Sequence, residues 1–276
     1  MSKHQAEVLI PAYKNKLEWY EKISLEQLLK VFSKKHVFFI CPNDTRFEYI
    51  PSQKNIKIAY VPQWFMSSIE NYNKMLLNEE LYRCFTDYEY VLLCQLDVIV
   101  TRDLLDRFCE LDYDYWGAPW PYLWSTNIID GKKVHVRVGN GGFSLRRVSS
   151  CIRLLQMING QLSAANQNED VIFSYYLKKH GFRVAPIKLA RLFAGESQIS
   201  RIYKKNNSVL PFGMHAWHRF SGDFYVKILP KLGINIKDYV FKLQNLDLNG
   251  IEHDYGIILS LRLRRRVLGN QDIWKN

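Results

Sequence analysis

The segment Gln95-Leu96-Asp97 contains residue types that could do chemistry, because one aspartate lies inside an otherwise apolar run, VLLCQLDVIV. A carboxylate that is buried without a partner costs several kcal/mol. Asp97 therefore either faces an open site at the end of a strand or is paired inside the core. An aspartate that only caps the next turn is the structural alternative. An exposed Asp97 would meet the minimal requirement of Mg²⁺ or Mn²⁺, which bind one or two carboxylates together with substrate phosphates.

Three further segments carry glycines, carboxylates or histidines. GNGG (139–142) would let the backbone approach a ligand closely or would form a tight turn, and it matches neither a Walker loop nor a dinucleotide fingerprint. Glu169 and Asp170 open a predicted helix, where they either cap the helix or act as a general base on an acceptor hydroxyl. His215, in the segment GMHAWH, is either a packed residue or a neutral imidazole that completes a metal shell begun by Asp97.

The charge of the chain calls for an anionic partner. The formal net charge is +11 at pH 7 and the pI is near 9.3. Nucleic acid, anionic lipid headgroups and phosphorylated substrates all satisfy this balance. The segment LRLRRR (261–266) reads either as a basic amphipathic helix suited to an anionic membrane or as a solvated charged tail.

Composition limits the remaining classes. With 276 residues, of which 47% are hydrophobic, the chain can bury a sizeable core. The five cysteines form no C-x-x-C pair, so neither a zinc site nor a disulfide framework is predicted. The apolar runs are too short to cross a bilayer and the N-terminus lacks the apolar core of a signal peptide. We therefore expect a cytoplasmic protein.

Apolar runs and helical periodicity alternate along the first half of the chain, which predicts a mostly parallel sheet covered on both faces. Ligands of such sheets bind beyond the carboxyl ends of the strands, so Asp97 should lie at a site. We expect one domain over residues 1–220 and a partly helical, basic C-terminal extension over 221–276. The predicted strands are 6–13, 35–42, 56–62, 88–97 and 183–186; the predicted helices are 24–32 with Ser24 as N-cap, 68–85, 101–111 and 166–182; and residues 190–210 are predicted to be loop-like.

Five segments in a fixed order carry a resemblance: VLLCQLDVIVTRDL, YDYWGAPW, VGNGGFSLRR, NEDVIFS and PFGMHAWH. Together they resemble the signature blocks of a bacterial family of largely uncharacterised glycosyltransferases with the GT-A fold. The resemblance implies an α/β fold of the GT-A (nucleotide-diphospho-sugar transferase) type with a central sheet flanked by helices. It also implies transfer of a sugar from a nucleotide-diphosphate donor, most simply a UDP-sugar, to the hydroxyl of a glycan or lipid-linked acceptor in cell-surface polysaccharide or glycoconjugate synthesis.

The same resemblance assigns roles to individual residues. Asp97 and His215 would bind Mn²⁺ or Mg²⁺ on the donor diphosphate. Gln95 stands where the wider D-x-D pattern has its first acid, so one anionic ligand is lost and the need for metal stays open. Asp170, with Glu169 second, would be the base of an inverting transfer, and a retaining reaction remains an alternative.

The remaining implied contacts concern the donor and the acceptor. Tryptophans would offer flat faces to acceptor sugar rings, although core packing explains such residues equally well. The residues expected at the donor are Pro11, Ala12, Tyr13, Gln95, Asp97, Asn140, Gly141 and Gly142, and those expected at the acceptor are Trp116, Trp120 and Trp217.

Two other functions remain as alternatives. The loss of the acid at Gln95 suits a sugar-binding module without catalysis. The basic charge suits a nucleic-acid-binding protein, but the basic residues are dispersed and no binding motif of the known kinds is present, so no nucleic-acid partner is expected. Under the transferase hypothesis, the C-terminal arginines suggest a peripheral protein on the inner face of the cytoplasmic membrane.

Overall fold

The computed structural model describes residues 6–121, 126–129, 131–159 and 168–246. The chain divides into two compact units, Met1–Ala216 and Trp217–Asn276. The candidate site residues that carry charge all belong to the first unit.

The strands are numbered in chain order. They are β1 (Ala6–Pro11), β2 (Val37–Pro42), β3 (Ile56–Val61), β4 (Tyr90–Cys94), β5 (Val98–Val100), β6 (Tyr115–Trp116), β7 (Ala118–Pro119), β8 (Thr126–Ile129), β9 (Lys132–His135), β10 (Val138–Gly139), β11 (Phe143–Arg147), β12 (Ala194–Gly195) and β13 (Gly213–His215). The helices are α1 (Trp19–Val31), α2 (Ile69–Leu76), α3 (Glu79–Arg83), α4 (Leu105–Glu110), α5 (Val148–Ile158), α6 (Glu169–Lys179), α7 (Ile187–Phe193), α8 (Ile199–Lys205) and α9 (Gly222–Ile228).

A six-stranded sheet with the order β3-β2-β1-β4-β11-β6 forms the centre of the first unit. β1 to β4 run parallel to one another, whereas β11 is antiparallel to both of its neighbours. A smaller sheet has the order β12-β13-β5. Its strand β5 is the next strand after β4 in the chain, and its strand β13 ends at His215. The expectation of an α/β fold with a mostly parallel central sheet is confirmed.

Both faces of the central sheet are buried, which explains why β4 reads as an uninterrupted apolar run. Tyr90, Leu92 and Cys94 point into one hydrophobic cluster, together with residues of α1 and α4. Val91 and Leu93 point into the other, together with residues of α5 and α6. Alternate side chains of a strand face opposite sides of its sheet, so a strand covered on both sides must be apolar at every position.

All four predicted helices have different bounds in the structure. The helix expected over 101–111 is α4 (Leu105–Glu110), and the one expected over 166–182 spans Glu169–Lys179 within the described residues. The helix expected over 68–85 is split into α2 and α3, because the side chain of Asn78 accepts a hydrogen bond from Glu80 N at 3.0 Å and caps a new helix. The helix expected from Ser24 begins earlier, at Trp19. There Glu21 accepts a hydrogen bond from the backbone N–H of Glu18 at 2.8 Å, and Ser24 is buried inside the helix.

The segment 190–210 is helical over much of its length, contrary to the loop-like prediction. It contains the end of α7, the short strand β12 and α8. Ile199 and Ile202 are buried at helical spacing, a two-residue signal that the surrounding polar residues obscure. The strand expected over 183–186 is reduced to a single bridge between Val184 and Tyr115.

The second unit contains α9, two short 3₁₀ segments (Leu229–Leu232 and Lys237–Tyr239) and further helical residues 240–246. A Cβ atom at Gly222 would lie 1.7 Å from the carbonyl oxygen of Leu243, so this close approach requires glycine. The basic helix predicted around 261–266 lies outside the described residues. In the described part of the chain, no helix has the length and apolar character needed to span a membrane.

Candidate functional site

The site lies at the carboxyl ends of two neighbouring parallel strands. β1 pairs with β4 in the register Leu9 to Leu93, so the residues that follow the two strands, 11–13 and 95–97, lie side by side. The side chain of Asp97 is about one-fifth exposed, at 21%. Burial, and to a smaller extent the charges of Glu21 and Asp97, raises the pKa of Tyr13, whose ring is half exposed. This edge is where ligands of parallel α/β sheets bind.

Three side chains direct ligating atoms towards one point. Nε2 of His215 lies 3.2 Å from Oδ1 of Asp97 and 3.2 Å from Oε1 of Gln95. The backbone sets this convergence, because β13 pairs with β5 and places His215 opposite Val98, the residue that follows Asp97. The structure therefore brings together residues that are 120 positions apart in the sequence.

Glu196 lies on the other side of the imidazole and was not identified from the sequence. Its Oε1 is 3.3 Å from Nδ1 of His215, and it follows β12, which pairs with β13. Burial lowers the pKa of His215, but Asp97 and Glu196 together raise it to about 10. Glu196 belongs to the stretch that was expected to be loop-like, and no motif in that stretch singles it out.

The glycine turn, residues 139–142, packs directly against the imidazole of His215. A Cβ atom at Gly142 would lie 2.2 Å from Nε2 of His215, so the imidazole occupies the space that any side chain would need. The carbonyl oxygen of Gly142 accepts a hydrogen bond from Gln95 N at 2.8 Å, which joins the turn to the end of β4. The Nε2 group of Gln95 donates to the hydroxyl of Tyr72 at 3.3 Å, and this orients the amide oxygen towards His215.

Asp170 holds the same turn from the side of α6. Its Oδ2 accepts hydrogen bonds from the backbone N–H groups of Asn140 and Gly141 at 2.9 and 3.0 Å, and its Oδ1 accepts one from Val171 N at 2.8 Å. Burial raises the pKa of Asp170, while these three N–H groups act in the opposite direction. The residue as a whole is partly exposed, and its carboxylate anchors the turn.

Asn140 has an unusual backbone and a free donor. Its φ is +84°, in the left-handed region that asparagine tolerates better than most residues. Its Oδ1 accepts a hydrogen bond from Gly142 N at 3.0 Å. Within the described ranges its buried Nδ2 group has no hydrogen-bond partner. A buried amide that lacks a partner is costly, so this group is poised to donate to a ligand.

Glu169 differs from Asp170 although the two are adjacent. It is buried and forms an ion pair with Arg146, with Nη2 2.9 Å from Oε2. Arg146 also donates to Ser144 Oγ and to the hydroxyl of Tyr82, both at 2.9 Å. Burial raises the pKa of Glu169 to about 7, against the attraction of Arg146. A Cβ atom at Gly141 would lie 1.9 Å from Oε1 of Glu169, so no space separates this acid from the turn.

The tryptophans expected at an acceptor occupy different environments. Trp116 is fully buried in the core and packs edge to face against Phe108, with ring centroids 5.0 Å apart. Trp217 is also fully buried, and its ring lies 5.9 Å from that of Tyr225. Trp120 is partly exposed, and its ring lies against Gly139 of the glycine turn. Of these three rings, only that of Trp120 presents a surface to a ligand, because a stacked sugar needs an open face.

The chemistry of the donor set is compatible with a divalent cation. No group of three or more His, Cys, Asp or Glu side chains among the described residues could hold a metal ion. Asp97 and His215 would therefore need the amide oxygen of Gln95 as the third protein ligand. Carboxylate and carbonyl oxygens with one imidazole suit Mn²⁺, and substrate phosphates could supply the remaining positions.

Comparison with known proteins finds similar solved structures and one family model. No curated protein matches the chain. Among solved structures, the chain is similar to galactosyltransferase LgtC in complex with donor and acceptor sugar analogues, with 16% sequence identity, a TM-score of 0.49 and coverage of 86% of this chain and 99% of that one. An active-site mutant of LgtC gives a TM-score of 0.48 with the same identity and coverage.

A family model described as "Protein of unknown function (DUF5672)" matches residues 55–215. The match begins just before β3 and ends at His215, so it contains Gln95, Asp97, the glycine turn and the two acids of α6. More than half of the chain is covered. The chain therefore belongs to the DUF5672 family.

Proposed function

We propose that this protein is a glycosyltransferase of the GT-A type, which moves a sugar from a nucleoside-diphosphate donor to a hydroxyl of a glycan or lipid-linked acceptor. The observation that carries the proposal is the convergence of Gln95, Asp97 and His215 next to a glycine turn, at the carboxyl edge of parallel strands. The ordered sequence blocks support the same reading. The donor is proposed to be a UDP-sugar.

Asp97, His215 and Gln95 would hold Mn²⁺ or Mg²⁺. When bound, such an ion neutralises the charge of the departing nucleoside diphosphate, a Lewis-acid contribution of several kcal/mol. Only Asp97 among these ligands carries a formal negative charge, so the site relies on the donor diphosphate to complete both coordination and charge. This balance favours binding of the ion together with the nucleotide.

The donor sugar would lie over the glycine turn. The buried Nδ2 group of Asn140 can donate to a sugar hydroxyl, and the absence of side chains at Gly141 and Gly142 allows close approach of the ring. On the side of β1, Pro11 and Ala12 are buried, so of the three residues expected there Tyr13 would contact the nucleotide, with its half-exposed ring against the nucleobase.

Asp170 is the proposed base, and the environment of the two acids favours it over Glu169. Asp170 is partly exposed beside the turn, whereas Glu169 is buried and faces Arg146. A base on the acceptor side, opposite the leaving diphosphate, fits an inverting displacement, to which proton removal typically contributes about 10²–10⁴-fold. Trp120, which borders the turn, is the proposed contact for the acceptor.

The positive charge suits an anionic donor and an anionic membrane that carries the acceptor. We propose a peripheral location for this cell-surface synthesis, mediated by the arginines of residues 261–266. Deletion of residues 256–276 should reduce binding to vesicles that contain anionic phospholipid and should leave nucleotide binding unchanged. Unchanged vesicle binding would count against the membrane location alone.

A panel of nucleotide sugars tests the central proposal. The correct donor should raise the unfolding temperature in the presence of Mn²⁺, since a ligand at 100 times its Kd adds about 2.7 kcal/mol of stability. The same donor should be hydrolysed slowly or transferred to an added saccharide. Asp97→Asn should abolish both effects, whereas Asp87→Asn, at an exposed acid in the turn before β4, should leave them intact.

The outcomes separate the alternatives. Stabilisation by a nucleotide sugar without any turnover would indicate a sugar-binding module, as the glutamine at position 95 allows. Retention on a polyanion at high salt, with no response to any nucleotide sugar, would favour a nucleic-acid-binding protein. Either result would refute the transferase.

A further inference from the structure

Glu196 is a charged residue of the site to which neither the motif blocks nor the proposed function gives a role. Its Oε1 lies 3.3 Å from Nδ1 of His215, on the side of the ring opposite Asp97 and Gln95. The side chain is about four-fifths buried, with 21% exposed. Nδ1 of His215 is itself buried. Glu196 Oε1, at ion-pair distance, is the carboxylate oxygen that could accept the N–H of Nδ1.

This arrangement has a known chemical consequence. A histidine that binds a metal through one ring nitrogen usually donates the N–H of its other ring nitrogen to a carboxylate or carbonyl. The second contact selects the tautomer, fixes the orientation of the ring and increases the basicity of the ligating nitrogen. Here Nδ1 faces Glu196, so a cation that replaces the Nε2 proton would meet the Nε2 lone pair at the point where Asp97 and Gln95 converge.

The amide at position 95 makes such support more important. An aspartate there would add a second negative charge to the ligands, whereas Gln95 contributes only a neutral oxygen. Glu196 places a negative charge beside Nδ1 of His215, and the imidazole ring separates this charge from the convergence point of Asp97 and Gln95. Its backbone position is fixed by the pairing of β12 with β13, so its distance from His215 does not depend on a flexible loop.

We propose that Glu196 is a positioning residue for the cation site, which orients His215 and supplies through the imidazole the negative charge that Gln95 lacks. The inference rests on the metal-assisted form of the proposed function. It concerns a residue that touches neither the donor nor the cation.

Direct binding of Mn²⁺ to the full-length protein, followed by electron paramagnetic resonance or calorimetry, tests the role without requiring activity. Glu196→Gln should raise the Kd for Mn²⁺ by about 10–100-fold, the range typical of such outer contacts. Glu196→Asp should retain part of the affinity. The matched control is Glu26→Gln, at an exposed acid of α1, which should leave the Kd unchanged.

A double-mutant cycle distinguishes positioning from a general structural effect. If Glu196 acts through His215, then Glu196→Gln should have no further effect on Mn²⁺ affinity in a His215→Ala background, provided that residual binding is measurable at high Mn²⁺. An equal loss in both backgrounds would overturn the positioning role. Introducing Gln95→Asp into Glu196→Gln should recover at least tenfold in affinity, and no recovery would overturn the charge argument.

The inference and the proposed function fail in different ways. If the wild-type protein binds Mn²⁺ and Glu196→Gln binds it equally well, the inference is wrong and the transferase proposal is untouched. If Mn²⁺ binding depends on Glu196 but no nucleotide sugar stabilises the protein, the transferase proposal is wrong and the cation site stands. If the wild-type protein binds no Mn²⁺ with or without nucleotide, the inference is wrong.

Discussion

Two acidic groups lie on opposite sides of the glycine turn and are satisfied in opposite ways. On the side of α6, the carboxylates meet donors: Glu169 faces Arg146 and Asp170 accepts three backbone N–H groups. On the side of β13, Asp97, Gln95 and Glu196 direct oxygen atoms at a single imidazole. The first group faces donors of the protein, and the second gathers three oxygen-bearing side chains around one imidazole.

This difference suggests that the α6 side fixes the shape of the glycine turn and that the β13 side binds the ligand. A buried carboxylate whose hydrogen-bond requirements are met internally fixes the shape of its surroundings. Carboxylate and amide oxygens gathered beside one imidazole are instead ligands that a divalent cation can use. Glu169 and Asp170 are adjacent but differ in environment. Glu169 is buried against Arg146, whereas Asp170 is partly exposed and is the proposed general base.

The largest effect is expected for the Arg146–Glu169 ion pair on the α6 side. Arg146→Met leaves Glu169 buried without its partner, and breaking such a pair costs about 3–5 kcal/mol of unfolding free energy. Denaturant unfolding at neutral pH measures the loss. Combining it with Glu169→Met removes both charges and should recover most of the stability. A single variant as stable as the wild type would contradict the scaffold role of the pair.

The next test concerns Asp170. Asp170→Asn should retain donor binding but lower turnover by at least about a hundredfold, because the amide cannot take a proton from the acceptor. A modest loss of stability is expected as well, since one oxygen that accepts backbone N–H groups becomes an NH₂ group. Donor affinity and kcat must therefore be measured separately. Near-normal kcat would remove the catalytic role and leave Asp170 as an anchor of the turn.

Substitution of the two neighbouring glycines should affect the two sides differently. Gly142→Ala places a Cβ atom 2.2 Å from His215 Nε2 and should weaken Mn²⁺ binding by about tenfold. Gly141→Ala places one 1.9 Å from Glu169 Oε1 and should cost about 1–3 kcal/mol of stability through overpacking. Parallel measurements of Kd and unfolding free energy check this. Identical effects on both quantities in both variants would mean that the two sides are one unit.

The smallest effect concerns the nucleotide. Tyr13→Ala removes the half-exposed ring at the end of β1 and should weaken nucleoside-diphosphate binding by about 1 kcal/mol or slightly more, the low end of the range for stacking on a base. Calorimetry with the nucleotide measures it, and Tyr60→Ala, an exposed tyrosine of the edge strand β3, is the control. Equal nucleotide affinity for both variants would mean that the nucleobase does not stack on Tyr13.

Much of the fold follows from local patterns. β2 and β4 are apolar runs because both faces of the sheet are covered there, whereas the edge strand β3 is only partly buried. The position of Asp97 at a carboxyl edge follows from the parallel topology. The break at Asn78 and the early start of α1 depend on single capping contacts, which periodicity does not detect. The helical part of 190–210 has only a few buried positions among polar residues.

Only part of the site has a signal in the sequence. Asp97, His215 and the glycine turn carry motif signals, and the structure brings them together. Glu196 carries none, because its closeness to His215 arises from pairing between β12 and β13. The burial of Trp116 and Trp217 depends on tertiary packing, since an aromatic residue beside proline or histidine has the same local appearance in a core as on a surface.

The pairing of β13 with β5 has a consequence for how members of this family can diverge. The distance between Asp97 and His215 follows from strand register, so the long connection between the two strands can gain or lose residues without moving either side chain. One extra residue within either strand would turn the imidazole to the opposite face. Length variation among relatives should therefore concentrate in the loops of 101–193 and spare the strands, the glycine turn and α6.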